Sequence, residues 1–237
     1  MVPTSLEYHS TISDSHGYVI HTVELLNHST LLYGTGYKKV KMYDMQSQTV
    51  LKEGKFPSTV QSITKIPKSQ DFIVLCLDLK AYMVSGGDMS NPKTLFTYNY
   101  SSYIPRVASH GDLVVMCNPY YRNTNQQLLV YSLTTGESDY YYLDGVNWIR
   151  SICFHPDGDL LVLNSEDGTV RKYSLYADRK PKLVSTVSGL PKNGYCSAMC
   201  VDNNGLIFIT SYGQLLHIIY HVKYTIYNSI IFSSRTL

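Results

Sequence analysis

The sequence predicts an all-β fold built from repeated four-stranded antiparallel units. Three observations carry this: short apolar runs recur at near-constant intervals, turn-forming residues stand between them, and no stretch has the period of an amphipathic helix. The recurrence is numerical. The runs "TLLYGT", "FIVLC", "LVVMC", "LLVLN" and "LIFIT" end at Thr35, Cys76, Cys117, Asn164 and Thr210, at successive intervals of 41, 41, 47 and 46 residues.

Each run is read as the second strand of its unit. A strand precedes it: "HTVELL" from His21, "QSITKI" from Gln61, "RVAS" from Arg106, "RSICF" from Arg150 and "SAMCV" from Ser197. The links "KSQD", "HPDG" and "DNNG" are turn compositions whose Gly and Asn accept positive φ. A third strand follows as "VKMYDM", "AYMVSG", "LLVYSL", "TVRKYSL" and "QLLHII". More polar segments, "TVLKEGKF", "TLFTYNY", "DYYYLDG" and "KLVSTVSG", close the first four units, so polarity rises from the second strand outward. Residues 18–222 are taken as the repeats and 1–17 as an N-terminal segment with a candidate partial strand around Leu6 to His9. Residues 223–237 are read as a divergent tail, because the sequence after Tyr220, "HVKYTIYNSIIFSSRTL", abandons the turn pattern and offers no polar outer strand.

Four-stranded units of this length have the spacing of β-propeller blades. On those residues the chain resembles the WD40 family over roughly 18–219, most clearly in "FHPDGDLLVLNSEDGTVRKYSL", "GTGYKKVKMYDMQSQTVL" and "QLLVYSLTTGE". Where that family ends a repeat in Trp-Asp, this chain has Tyr43-Asp44, Tyr131-Ser132 and Tyr173-Ser174. The family's Gly-His dipeptide is missing from every unit, and the fifth unit, "CSAMCVDNNGLIFITSYGQLLHIIY", is closer to the NHL subclass. The resemblance implies a scaffold or substrate-recognition module binding peptides or protein domains. Five units fit a five-bladed ring, a six-bladed ring with an improvised last blade, or an incomplete arc.

Charge and composition narrow the partners. A net charge of +2, from 20 basic and 18 acidic residues spread along the chain, is no polybasic footprint, so nucleic acid is not expected. No run approaches the ~20 apolar residues of a membrane span, so no membrane partner is expected. Cys76, Cys117, Cys153, Cys196 and Cys200 are odd in number and mostly lie in apolar runs, which suits buried thiols in a reducing, cytoplasmic setting. Cys196 and Cys200, four apart in a strand, are expected on one face, without metal. The sequons at Asn27 and Asn99 are accordingly read as chance matches.

Catalytic chemistry is not expected. Ser151, His155 and Asp157 share one strand-turn segment whose alternation sends neighbours to opposite faces, which does not make a triad. The enzymatic alternative is a calcium-dependent, lactonase-like hydrolase, with Asp202, Asn203, Asn204, Asn118 and Asn164 as oxygen ligands by type. The first three belong to a turn that Gly205 completes, and no cofactor is expected.

The functional signal is a column at the entrance to each first strand. In "YVIHT", "YIPRV", "NWIRS" and "GYCSA" the aromatics Tyr18, Tyr103, Trp148 and Tyr195 recur beside His21, Arg106 and Arg150. Aromatics and Arg anchor protein interfaces. The candidate partner-binding set is therefore Arg106, Arg150, Tyr103, Tyr195, Trp148 and His21. The alternative is structural: aromatics packed between units, Trp148 first among them beside Val146 and Ile149, and arginines in ordinary salt bridges. Most of the 22 tyrosines are read as sheet packing, with Tyr120 and Tyr121 in a more exposed loop.

Overall fold

A computed structural model describes residues 19–98, 105–117, 126–175, 179–192, 196–211, 215–220 and 225–231. These form twenty strands in five four-stranded antiparallel sheets, each in simple up-and-down order. The first sheet comprises β1 (Ile20–Leu25), β2 (Thr30–Thr35), β3 (Lys39–Asp44) and β4 (Thr49–Lys55). The second comprises β5 (Val60–Lys65), β6 (Phe72–Cys76), β7 (Lys80–Val84) and β8 (Lys93–Thr97). The third comprises β9 (Arg106–His110), β10 (Leu113–Cys117), β11 (Gln126–Ser132) and β12 (Ser138–Leu143). The fourth comprises β13 (Ile149–Phe154), β14 (Leu160–Asn164), β15 (Thr169–Ser174) and β16 (Lys182–Val187). The fifth comprises β17 (Cys196–Val201), β18 (Ile207–Ser211), β19 (Leu215–Tyr220) and β20 (Thr225–Ile231). Four of the five second strands end at the expected residue, and the fifth runs one further, to Ser211.

Two differences from the sequence reading concern the last sheet. Thr225–Ile231, expected to offer no outer strand, pairs with β19 as the fourth strand. Its "TIYNSII" is rich in β-branched residues, and a strand needs that composition more than it needs a recognisable turn. Cys196 and Cys200 do not share a face. The register slips between Cys196 and Ala198, and one extra residue inverts the alternation beyond it. Cys196 and Met199 are therefore buried while Cys200 is exposed.

The core lies between sheets, and the second strands serve two interfaces at once. In β6, Phe72, Val74 and Cys76 pack with Leu32, Val40 and Phe56 of the preceding sheet and its link. The alternate residues Ile73 and Leu75 pack with Val107, Val114 and Met116 of the next. In β14, Leu160 and Val162 meet Val115, Cys117 and Leu128, whereas Leu161 and Leu163 meet Met199, Ile207 and Ile209. Strands covered on both faces read as unbroken apolar runs, which is why these segments were the visible ones. The outer strands face solvent: β4, β12 and β16 are mostly exposed.

The five first strands lie side by side in the order β1, β5, β9, β13, β17. Side chains stitch each to its neighbour's backbone. Lys65 N–H donates to Glu24 Oε1 at 3.2 Å, and the Ser109 hydroxyl donates to the Lys65 carbonyl. Arg106 Nε donates to the Arg150 carbonyl at 3.3 Å. Ser151 Oγ donates to the Met199 carbonyl at 3.3 Å and accepts from its N–H at 3.2 Å. These bonds satisfy backbone groups at edges the sheets leave open.

The "SEDG" turn shows how local chemistry holds the repeat. Asp167 Oδ1 accepts from the Thr169 N–H and hydroxyl at 3.1 and 2.6 Å. Gly168 sits at φ +67, and a Cβ there would lie 2.2 Å from the Leu190 carbonyl oxygen, so glycine alone fits.

All five cysteines are free thiols, with Cys76, Cys117 and Cys196 buried. Burial pushes the Cys117 thiol up to about 12 and that of Cys196 up to about 11. In the native protein Cys200 is expected to react first with a thiol reagent, the three buried thiols reacting only on unfolding. Labelling followed by peptide mass analysis checks this; a Cys196 to Cys200 disulfide or stoichiometric zinc would contradict it.

Candidate functional site

One end of the sheets gathers the starts of the first strands and the ends of the second strands. Its rim is shaped by a recurring irregularity. In the first sheet Ile20 pairs with Thr35 and Thr22 with Gly34, which leaves His21 as an extra residue. The same slip isolates Gln61 between Val60 and Ser62, Arg150 between Ile149 and Ser151, and Ser197 between Cys196 and Ala198. A β-bulge bends its strand and re-aims the inserted side chain, and such bulges favour rims and sites. Four sheets thus present a bulged residue at one height: His21, Gln61, Arg150 and Ser197.

The third sheet departs from this. β9 pairs without a slip, Arg106 with Cys117 and Val107 with Met116. Pro105 precedes it and has no N–H for the ladder, so Arg106 takes the first paired position. The sequence column equated Arg106 with Arg150. The two are one register step apart, and the offset lets Arg106 Nε reach the Arg150 carbonyl.

Arg150 is held from below. Its guanidinium carbon lies 4.9 Å from the centroid of the Trp148 ring, a cation–π contact. The Trp148 backbone is itself anchored, its amide N–H donating to Asn164 Oδ1 at 3.2 Å and its carbonyl accepting from Ser165 N–H at 2.9 Å. It is half-buried rather than packed in the core, whereas its neighbours Val146 and Ile149 are fully buried. Burial pushes the Arg106 guanidinium below its ordinary range, the Cys117 thiol opposes this, and the Arg150 charge adds to the lowering.

Among the described residues no carboxylate lies within 4.0 Å of Arg106 or Arg150, and Arg150 Nε is buried without a hydrogen-bond partner. Arg171 shows the contrast. It donates to the Asp144 and Gly145 carbonyls at 2.8 and 2.6 Å and pairs with Asp167 at 3.0 Å, a structural strut.

The structure therefore brings together Arg106, Arg150 and Trp148. His21 is exposed on β1, with β5 between it and Arg106. Tyr18, Tyr103, Tyr195, Tyr120 and Tyr121 lie outside the described residues, as does Asn118. Gln61 and Ser197 were missed as rim residues. The signal was the triplet Val60-Gln61-Ser62, which matches Ile149-Arg150-Ser151 but lacks a preceding aromatic.

The residues weighed for catalysis are placed elsewhere. Ser151 is the inter-sheet clamp on Met199. At the far end His155 Nδ1 lies 2.7 Å from Asp157, which is bonded to buried Lys172. Of the candidate calcium ligands, Asn164 stands at the rim while Asp202 lies in the turn at the opposite end, accepting from Asn204 and Leu206 N–H at 2.9 and 2.7 Å. They do not converge. Among the described residues no group of three His, Cys, Asp or Glu side chains is placed to hold a metal ion.

No family model matches the sequence, and no curated protein does. Solved structures do. The chain superposes on a chain of a nidogen/laminin complex with a TM-score of 0.73 at 8% identity, covering 90% of this chain and 80% of that one. It also superposes on the WD40 β-propeller domain of Doa1 with a TM-score of 0.61 at 17% identity, covering 83% of this chain. The chain is a β-propeller. Each sheet is a blade, and the chain spans 62% of the Doa1 chain's length. In a β-propeller the first strands surround a central channel. The bulged rim lies at one end of the row of first strands, and the Arg106, Arg150 and Trp148 cluster sits on the third and fourth blades.

Proposed function

We propose that this propeller is a non-enzymatic, WD40-like interaction module of the cytoplasm that binds a peptide or protein domain at the channel mouth. One observation carries the reading: Arg106 and Arg150 stand together at the rim, one braced on Trp148, with no acid in the chain's described residues to neutralise them. Arg and Trp are the residue types that most often dominate binding energy at interfaces. Tyr103, Tyr195 and His21 belong to the same proposed surface by their place in the repeat. Two propellers of such low identity support the scaffold and not a particular partner.

Crosslinking mass spectrometry on a pull-down tests the surface. Arg106→Ala and Arg150→Ala are each expected to weaken partner binding by about 1 to 2 kcal/mol. Because Arg106 also bonds the next blade, its loss is expected to cost about 1 kcal/mol of stability as well. Normal binding by both variants, with binding abolished by substitution of Lys38 and Lys39, would place the interface elsewhere.

A further inference from the structure

We infer that the Arg106 and Arg150 pair is a receptor for a carboxylate, so that the partner segment seated at the mouth is acidic. The inference rests on reading the mouth as the partner surface, and it adds the chemistry of what binds there. The Arg106 side chain has been brought onto the Arg150 backbone, near enough for the Arg150 charge to bear on it, and both residues are partly withdrawn from water with no carboxylate among the described residues beside them, an arrangement that an anion would complete. Arg106 spends its Nε on the Arg150 carbonyl, which orients its guanidinium and leaves the terminal nitrogens for a ligand. Arg150 lies over Trp148, its guanidinium carbon 4.9 Å from the ring centroid, which holds the group in place, and its Nε is buried without a hydrogen-bond partner among the described residues. A planar fork with a fixed edge matches a carboxylate by two parallel hydrogen bonds. Of the other bulged residues, Gln61 on the second blade is buried, and the half-buried Ser197 on the fifth adds a neutral polar group. Charge complementarity therefore selects glutamate- or aspartate-bearing peptide over a basic one.

The chain provides its own reporter. Trp148 is the sole tryptophan, and its ring touches the guanidinium that would receive the anion. Titrating the full chain with N-acetylated hexaglutamate at low ionic strength is expected to change tryptophan emission saturably, whereas hexalysine is expected to leave it unchanged. Arg150→Gln and Arg106→Gln are expected to weaken the response by about tenfold or more, with Lys38→Ala as an unaffected control. Arg106→Gln keeps an N–H donor for the Arg150 carbonyl, and thermal melting of each variant separates loss of the site from loss of the fold.

No response to hexaglutamate, or an equal response in the Arg150→Gln variant, overturns the inference. Half-saturation by inorganic phosphate at the same concentration as the peptide also overturns it, because the site would then take phosphate. A crosslinked partner seated on the mouth through a segment without acids overturns it while the mouth reading survives. Hexaglutamate binding that Arg150→Gln removes, with partners crosslinked to another face, supports the anion site and sinks the mouth reading instead.

Discussion

Lys172→Met is expected to destabilise the protein by about 2 to 3 kcal/mol, near the lower end for breaking a buried ion pair because Asp157 is partly exposed. Lys172 is 6% exposed on β15, and its ammonium lies between Asp157 and Asp159, 3.1 Å from the latter. Methionine fills the space but leaves two carboxylates facing each other beside the His155 ring. Burial pushes the Asp157 carboxyl up, but the Lys172 bond, the Asp159 N–H and His155 together hold it down, at about 2. A carboxyl depressed in the folded state contributes stability that is present above the unfolded value near 4 and lost as pH falls towards 2. The gap between native protein and variant should therefore be full at pH 7 and shrink below pH 4. Urea melts at pH 7 and pH 3 measure both; an unchanged midpoint at pH 7 would show that the cluster adds nothing.

Glu24→Gln is expected to act in the opposite direction, raising stability above pH 7 by roughly 2 to 3 kcal/mol. Glu24 stitches β1 to β5 through Lys65, and burial pushes its carboxyl up to about 7 against the opposing bond and charge of Lys65. The folded state then holds a proton that the unfolded chain, titrating near 4.5, has released. Stability falls as pH rises from about 4.5 to about 7, and the loss is complete above that. Glutamine keeps an acceptor for the Lys65 N–H and has no proton to lose, so the variant's stability should be flat across the window. Denaturation at pH 5 and pH 8 reads the difference. A wild-type curve that is already flat would mean that the Glu24 charge is solvated in the fold.

The two groups show why sequence could not rank them. Glu24 and Lys172 look like ordinary charges in amphipathic strands, and only the neighbouring element, 41 residues away for Glu24 and 15 for Lys172, makes one a burdened acid and the other a clamp. The candidate site divides in the same way. Arg106, Arg150 and Trp148 were legible because the repeat put aromatics and arginines at one point of its period. Gln61 was not, since it shares that point without an aromatic to mark it, and Ser197 was passed over for Tyr195, two residues before it, because a lone hydroxyl carries neither ring nor charge.

By itself the sequence determined the class of the fold, the four-strand repeat and the ends of the second strands, four of them to the residue. Those features are local: a strand covered on both faces must be apolar throughout, and the turn after it must admit positive φ, as Gly168 does. Tertiary structure alone decided the register and what crosses between blades. A bulge at Ser197 turned Cys200 outward, Pro105 denied β9 the bulge its neighbours have, and "TIYNSII" found an edge to pair with. A ladder slips by one residue without altering composition, and a contact between blades joins positions 41 to 48 apart, beyond the reach of any local pattern.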